Sequence, residues 1–149
     1  MSDDSNQHQS ILRQIETCDQ DIVRALDRRA EAYEALGELR ENNPDAFIAR
    51  PARADVIGAQ QEASKQLSDP AVEAIFREVI SACEQLIEPQ RVAFLGSEGA
   101  FAHVAAIRHF GRSGSFQAYT STSLVLDEVS SERAAYGVLP FETSTAPAP

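Results

Sequence analysis

Apolar residues near the start of the chain fall at Ile11, Ile15, Cys18, Ile22, Leu26, Tyr33 and Leu36, mostly in steps of three and four that predict a helix with a single apolar stripe. No proline interrupts the pattern before Pro44, and the run ENNPD at 41–45 supplies a stop. About thirty such residues form a rod of about 45 Å, longer than so small a domain can cover with its own neighbours. Arg50-Pro51 then opens a second, weaker pattern carrying Val56, Ile57, Ala63 and Leu67. In SDPAVEAIF an Asp precedes a proline suited to a first helical turn, and Val72, Phe76, Val79, Cys83 and Ile87 form the stripe of a third helix. One long helix with two short companions is left with uncovered apolar surface, which implies a homodimer joined through the first helix.

The pattern changes at Arg91. RVAFLG reads as a short aliphatic strand, GSEG as a tight turn, and AFAHVAAIRHFG as a helix with Phe101, Val104, Ala105, Ile107 and Phe110 as its apolar positions. SFQAYT predicts a second strand, STSLVLDEVSSER another helix, and YGVLPF a third strand. Strands alternating with helices imply a parallel sheet, so the fold class is α plus α/β. Residues 1–10, acidic and polar, are expected to be a disordered lead-in and 146–149 a tail, with a helical domain at 11–88 and an α/β lobe at 91–145. The turn from Gly96 to Gly99 puts backbone N–H groups at a helix start, where an anion can sit, although neither GxGxxG nor GxxxxGK is present.

Composition narrows the function. With 149 residues, 43% hydrophobic and 24% charged, the chain has the balance of a globular protein. A net charge of −10 argues against nucleic acid as a partner, because that affinity rests on Lys and Arg neutralising phosphates. No apolar run reaches the length of a membrane span and the N-terminus lacks the pattern of a signal peptide, so the expected location is the cytoplasm, with no membrane partner. Cys18 and Cys83 are far apart on apolar helical positions and read as buried free thiols; nothing in the chain calls for a metal or another cofactor.

Two cations interrupt the first helix's apolar stripe. Continuing from Leu26 in threes and fours gives Arg29, Tyr33, Leu36 and Arg40. Arginine seldom enters a core unpaired, so either these two carry their heads out to water or an acid, or they wall an anion site in which guanidinium forks hold carboxylates.

On these residues the first part of the chain resembles the all-α, intertwined-dimer chorismate mutases. IETCDQDIVRALDRR places Asp19, Ile22, Leu26 and Arg29 as that family does, Arg40 stands where the family has a lysine, FIARPARADV resembles its second-helix opening, and AIFREVISACEQLIEP its closing helix. The resemblance implies that chorismate, a dicarboxylate, rearranges to prephenate by an intramolecular pericyclic shift, with no nucleophile or general base. Positive charge that holds the compact conformer and meets the breaking ether bond would supply the catalysis. It makes Arg29 the grip on a carboxylate, Arg40 the donor to the ether oxygen and a carboxylate, and Arg53 a residue at the mouth of the site. Three positions depart from the family. Leu12 stands where it has an arginine, with Arg13 about 100° of helix rotation away. Ala54 replaces a glutamate, and Ile87 a Gln or Glu.

The last part resembles the opening lobe of prephenate dehydratases: a strand, then SEG, an aromatic, His103 and a helix, then YGVLPFETST. Ser144 and Thr145 match the family's Asn-Ser-Thr run as substrate-binding residues, with Thr143 in place of Asn, and Ala100 and Ala102 replace Thr and Ser. His103 is retained, on a helix face where a packing role is the commoner one. The family's Thr-Arg-Phe motif has no counterpart, so the segment is expected to be a truncated, inactive dehydratase. Together the two halves resemble the bifunctional chorismate mutase/prephenate dehydratases of phenylalanine biosynthesis, a three-helix intertwined dimer followed by a partial α/β unit with a three-stranded, mostly parallel sheet. A second reading stays open, in which a degenerate, non-catalytic helical dimer binds a pathway metabolite or partner.

Overall fold

In the computed structural model, which describes residues 2–43 and 52–141, the proline-free opening of the chain forms one helix, α1, Ser2–Asn42. The expected disordered lead-in is therefore helical from Ser2. Once a helix is nucleated, each further residue adds a hydrogen bond at little cost, and residues 2–10 hold no Gly or Pro and carry acids at the positive end of the helix dipole. At the other end Asn43 closes the helix, its Nδ2 donating to the Leu39 carbonyl at 2.9 Å and its backbone N to that of Arg40. Pro44, Arg50 and Pro51, to which the stop and the second helix's start were assigned, lie outside the described residues.

α1 belongs to one compact unit, Met1–Phe47, and all later elements to another, Ile48–Pro149. Within α1 the stripe is open: Ile11, Leu12, Ile15, Ile22 and Val23 are each about half exposed. Cys18, expected to be a buried thiol, is exposed for the same reason, whereas Cys83 is buried as expected.

In the second unit α2 (Arg53–Ala63) and α3 (Asp69–Ile87) form a hairpin, α3 opening with a proline in its first turn. Leu67, assigned to the second helix, lies beyond it and is exposed. Three strands follow, β1 (Arg91–Leu95), β2 (Ser115–Tyr119) and β3 (Tyr136–Val138), in the order β2-β1-β3 and all parallel. Helix α4 (Phe101–Phe110) joins β1 to β2, and α5 (Thr122–Ser130) joins β2 to β3.

β1 is central, so both of its faces need cover, and its side chains alternate between them. Val92 packs with Ala106 and Phe110 of α4, whereas Ala93 packs with Val125 of α5 and with Ala134. On α4 the buried positions are Ala102, Ala106 and Phe110, not the full expected set; Phe101 and Val104 face solvent. Phe110 packs on Val92 at the helix's end, Phe101 and Val104 stay outside the contact, and Ala102 and Ala106 let the helix lie close on the sheet. Gly137 does the same on β3, where a Cβ would lie 2.9 Å from Val125.

Candidate functional site

The residues of α1 that are not exposed share one face. Arg29, Ala30, Tyr33, Leu36 and Arg40 are half-buried and Gly37 is buried, all within a wedge of about 120° at 100° per residue. Arg29 is held along the helix by Tyr33: its guanidinium carbon lies 4.6 Å from the ring centroid and Nη2 donates to the hydroxyl at 3.3 Å. Arg40 follows about 16 Å along the axis, three turns on, on the same face. Leu12, by contrast, is half exposed on the open stripe.

Arg53 is placed differently. From the first turn of α2 its guanidinium forms an ion pair with Glu84 of α3, donates through Nη1 to the His109 carbonyl of α4 at 2.9 Å, and lies 5.8 Å from the Phe110 ring centroid. It therefore ties the helical hairpin to the α/β lobe. The sequence gives the cation but not this partner, because Glu84 lies far along the chain and on the buried face of α3. Ala54 is exposed and Ile87 half-buried, so neither offers the polar contact that a glutamate or glutamine would.

In the lobe, the turn after β1 is closed by His103. Its Nδ1 accepts from the Gly99 N–H at 2.8 Å, which leaves the proton on Nε2, and its ring stacks on Phe94 with centroids 4.6 Å apart. One N–H of the expected anion turn is thus already taken, and His103 acts as a packing and capping residue. Ser144 and Thr145 lie outside the described residues.

A polar cluster that sequence reasoning missed sits where α5 ends. Glu128 Oε1 receives both Nε (3.1 Å) and Nη2 (2.9 Å) of Arg133. These hydrogen bonds hold the Glu128 carboxyl below its usual range; the Tyr119 hydroxyl is pushed up by desolvation and by its hydrogen bond to Glu128. Glu132 takes φ 58° here, and the Arg133 N–H returns to the Glu128 carbonyl at 3.0 Å in a Schellman-type ending. The non-glycine residue at this left-handed position hid the motif. Among the described residues no group of three His, Cys, Asp or Glu side chains is placed to hold a metal ion, and no helix is long and apolar enough to cross a membrane.

Residues 11–88 match the family profile "Chorismate mutase type II", and residues 92–148 match "Prephenate dehydratase". Among curated proteins, the chain is 36% identical over 133 residues to the bifunctional chorismate mutase/prephenate dehydratase of Neisseria gonorrhoeae, covering 88% of this chain and 36% of that one. The protein of the same name from Stutzerimonas stutzeri is 30% identical over 148 residues, 95% of this chain and 40% of the relative. That from Aquifex aeolicus is 29% identical over 139 residues, 90% and 38%. The chain thus spans well under half the length of the curated relatives it matches. No solved structure matches it.

Proposed function

Since the chain belongs to the chorismate mutase type II family through residues 11–88, we propose that it is a chorismate mutase-type isomerase, turning chorismate into prephenate in aromatic amino-acid (phenylalanine) biosynthesis. The observation that carries this reading is the pair Arg29 and Arg40 on the one shielded face of α1. A pericyclic shift needs no proton relay, so two fixed cations suit it: Arg29 grips one carboxylate, and Arg40 meets the other and the ether oxygen as its bond breaks. Arg40 carries the charge of the family's lysine in a planar fork, which favours a bidentate carboxylate contact. Arg53, which the resemblance puts at the mouth of the site, is engaged by Glu84 and the His109 carbonyl. The reaction calls for no metal or other cofactor.

The open stripe of α1 is the surface through which two copies pair, forming a homodimer in the cytoplasm. The net charge of −10 favours this small-anion chemistry over nucleic acid. Residues 92–148 correspond to part of a prephenate dehydratase, in which Ser144 and Thr145 would touch prephenate; these residues alone are assigned no dehydration.

The test is consumption of chorismate, followed by loss of its ultraviolet absorbance. The wild-type chain consumes it, Arg29→Ala lowers kcat/KM by about 10²–10³-fold as expected for a lost transition-state donor, and Ala54→Glu raises the rate. Consumption no faster than background in the wild type would overturn the proposal.

A further inference from the structure

Asp4 and His8 have no part in the mutase-type reading, yet both stand on the stripe of α1. Counting back from Ile11 in threes and fours gives His8 and Asp4, as counting forward gives Arg29 and Arg40. Because the helix begins at Ser2, these first residues keep the phase of the rest. At 100° per residue Asp4, Ile22 and Arg40 share one bearing, each about five turns from the next, so the stripe runs straight along the rod without drifting. It is acidic at one end and cationic at the other. Asp4 and His8 are exposed, Arg40 is half-buried, and among the described residues no acid pairs with Arg40.

Two copies that join through one and the same face are related by a twofold axis. An axis along the rods sets every residue against its own copy, bringing Arg29 to Arg29, Arg40 to Arg40 and Asp4 to Asp4. An axis across the rods sets unlike residues together. Ile22 is the midpoint of Ser2–Asn42, so an axis there overlaps the rods over their whole length and covers the most apolar surface. Each residue then meets the one equally far beyond Ile22. Ile22 faces its own copy, Cys18 faces Leu26, Ile15 lies on the stem of Arg29, Ile11 faces Tyr33, and Asp4 reaches Arg40. Apolar residues meet in the middle and opposite charges at the ends.

We propose that Asp4 of each copy pairs with Arg40 of the other, as a built-in carboxylate that occupies this cation until substrate arrives. The inference rests on the α1 homodimer and on the role of Arg40 in the mutase-type reading, and it adds a regulating group to both. The first turns of α1 fix the direction and register of pairing, and their acid competes with one carboxylate of the substrate at the end of the Arg29–Arg40 face. An ion pair at the rim of an interface is weak, so it yields to a ligand that brings two carboxylates of its own.

The test is cross-linking in the full chain carrying Cys18→Ser, oxidised with glutathione disulfide. Asp4→Cys with Arg40→Cys is expected to double the mass on a non-reducing gel, and peptide mass spectrometry to find position 4 joined to position 40. Either substitution alone should stay at the single-chain mass. Independently, Asp4→Asn is expected to lower KM for chorismate by about two- to five-fold with kcat unchanged, the scale of one exposed ion pair. Should the double variant not associate under reducing conditions, Asp4→Asn carries the test. A dimeric double variant without the 4-to-40 link, equal cross-linking of Asp4→Cys alone, or an unchanged KM in Asp4→Asn would each overturn the inference while leaving the homodimer and the mutase reading in place. A wild-type chain that sediments as a single copy overturns the homodimer and this inference together.

Discussion

Along α1 the side chains of Ile15 and Ile22 are 53% and 57% exposed, whereas in the α/β lobe Val92, Phe94 and Val125 are at 1% or less. Both regions are rich in aliphatic residues, so the difference lies in what their backbones require. A helix satisfies its own hydrogen bonds and stands as a rod with its apolar stripe open. A strand leaves its donors and acceptors unmet until neighbours arrive. Central β1 therefore has β2 and β3 at its edges and α4 and α5 over its faces within the same chain. The lobe buries its apolar surface locally, and α1 leaves its stripe exposed.

The largest expected effect breaks this contrast at its open side. Ile15→Glu with Ile22→Glu puts two charges on the stripe and abolishes association, so sedimentation gives the single-chain mass of 16.2 kDa where the wild type gives twice that. The lobe's thermal transition should not move. An unchanged mass would show that the stripe joins no second copy.

The next breaks the closed side. Phe94→Ala removes a fully buried ring and is expected to cost about 3–5 kcal/mol. Amide protection should then fall in β1, β2 and β3 while far-UV circular dichroism retains the α1 signal. Loss of both together would mean that the two regions do not fold separately. A smaller effect sharpens the contrast at the α3–α4 junction. Gly111→Ala places a Cβ against Ser81 at φ 80° and is expected to cost about 1–3 kcal/mol in a denaturant titration.

The smallest concerns the exposed end of α5. The folded carboxyl of Glu128 is depressed, so its contribution is complete above the unfolded-state pKa and is lost as pH falls through the folded one. A carboxyl resonance titration should find Glu128 below the ordinary glutamate range, and Arg133→Ala should return it toward that range. A titration unchanged by the substitution would remove Arg133 as the cause.

Much of this was legible in the chain. Three- and four-residue spacing marked α1 and α3, and the run VAFL before a glycine turn marked a short aliphatic strand. Arg29 and Arg40 could be found as cations standing on an apolar stripe. The face of α4 was not legible, because hydropathy ranks Phe101 and Val104 above Ala102 and Ala106, and close packing on a sheet selects the small residues. Nor was the helical course of residues 2–10, whose polar composition gave no periodic signal.

The sequence by itself determined the order of elements, the uncovered stripe of the long rod, and the cations of the candidate site, since these follow from periodicity and from single residues out of place. Only the tertiary structure decided where Arg53 spends its charge, that His103 closes a turn, and that the small residues of α4 face the sheet. Each of these joins residues on different elements or across a turn, and a pairing energy depends on distance and desolvation that no spacing along the chain encodes.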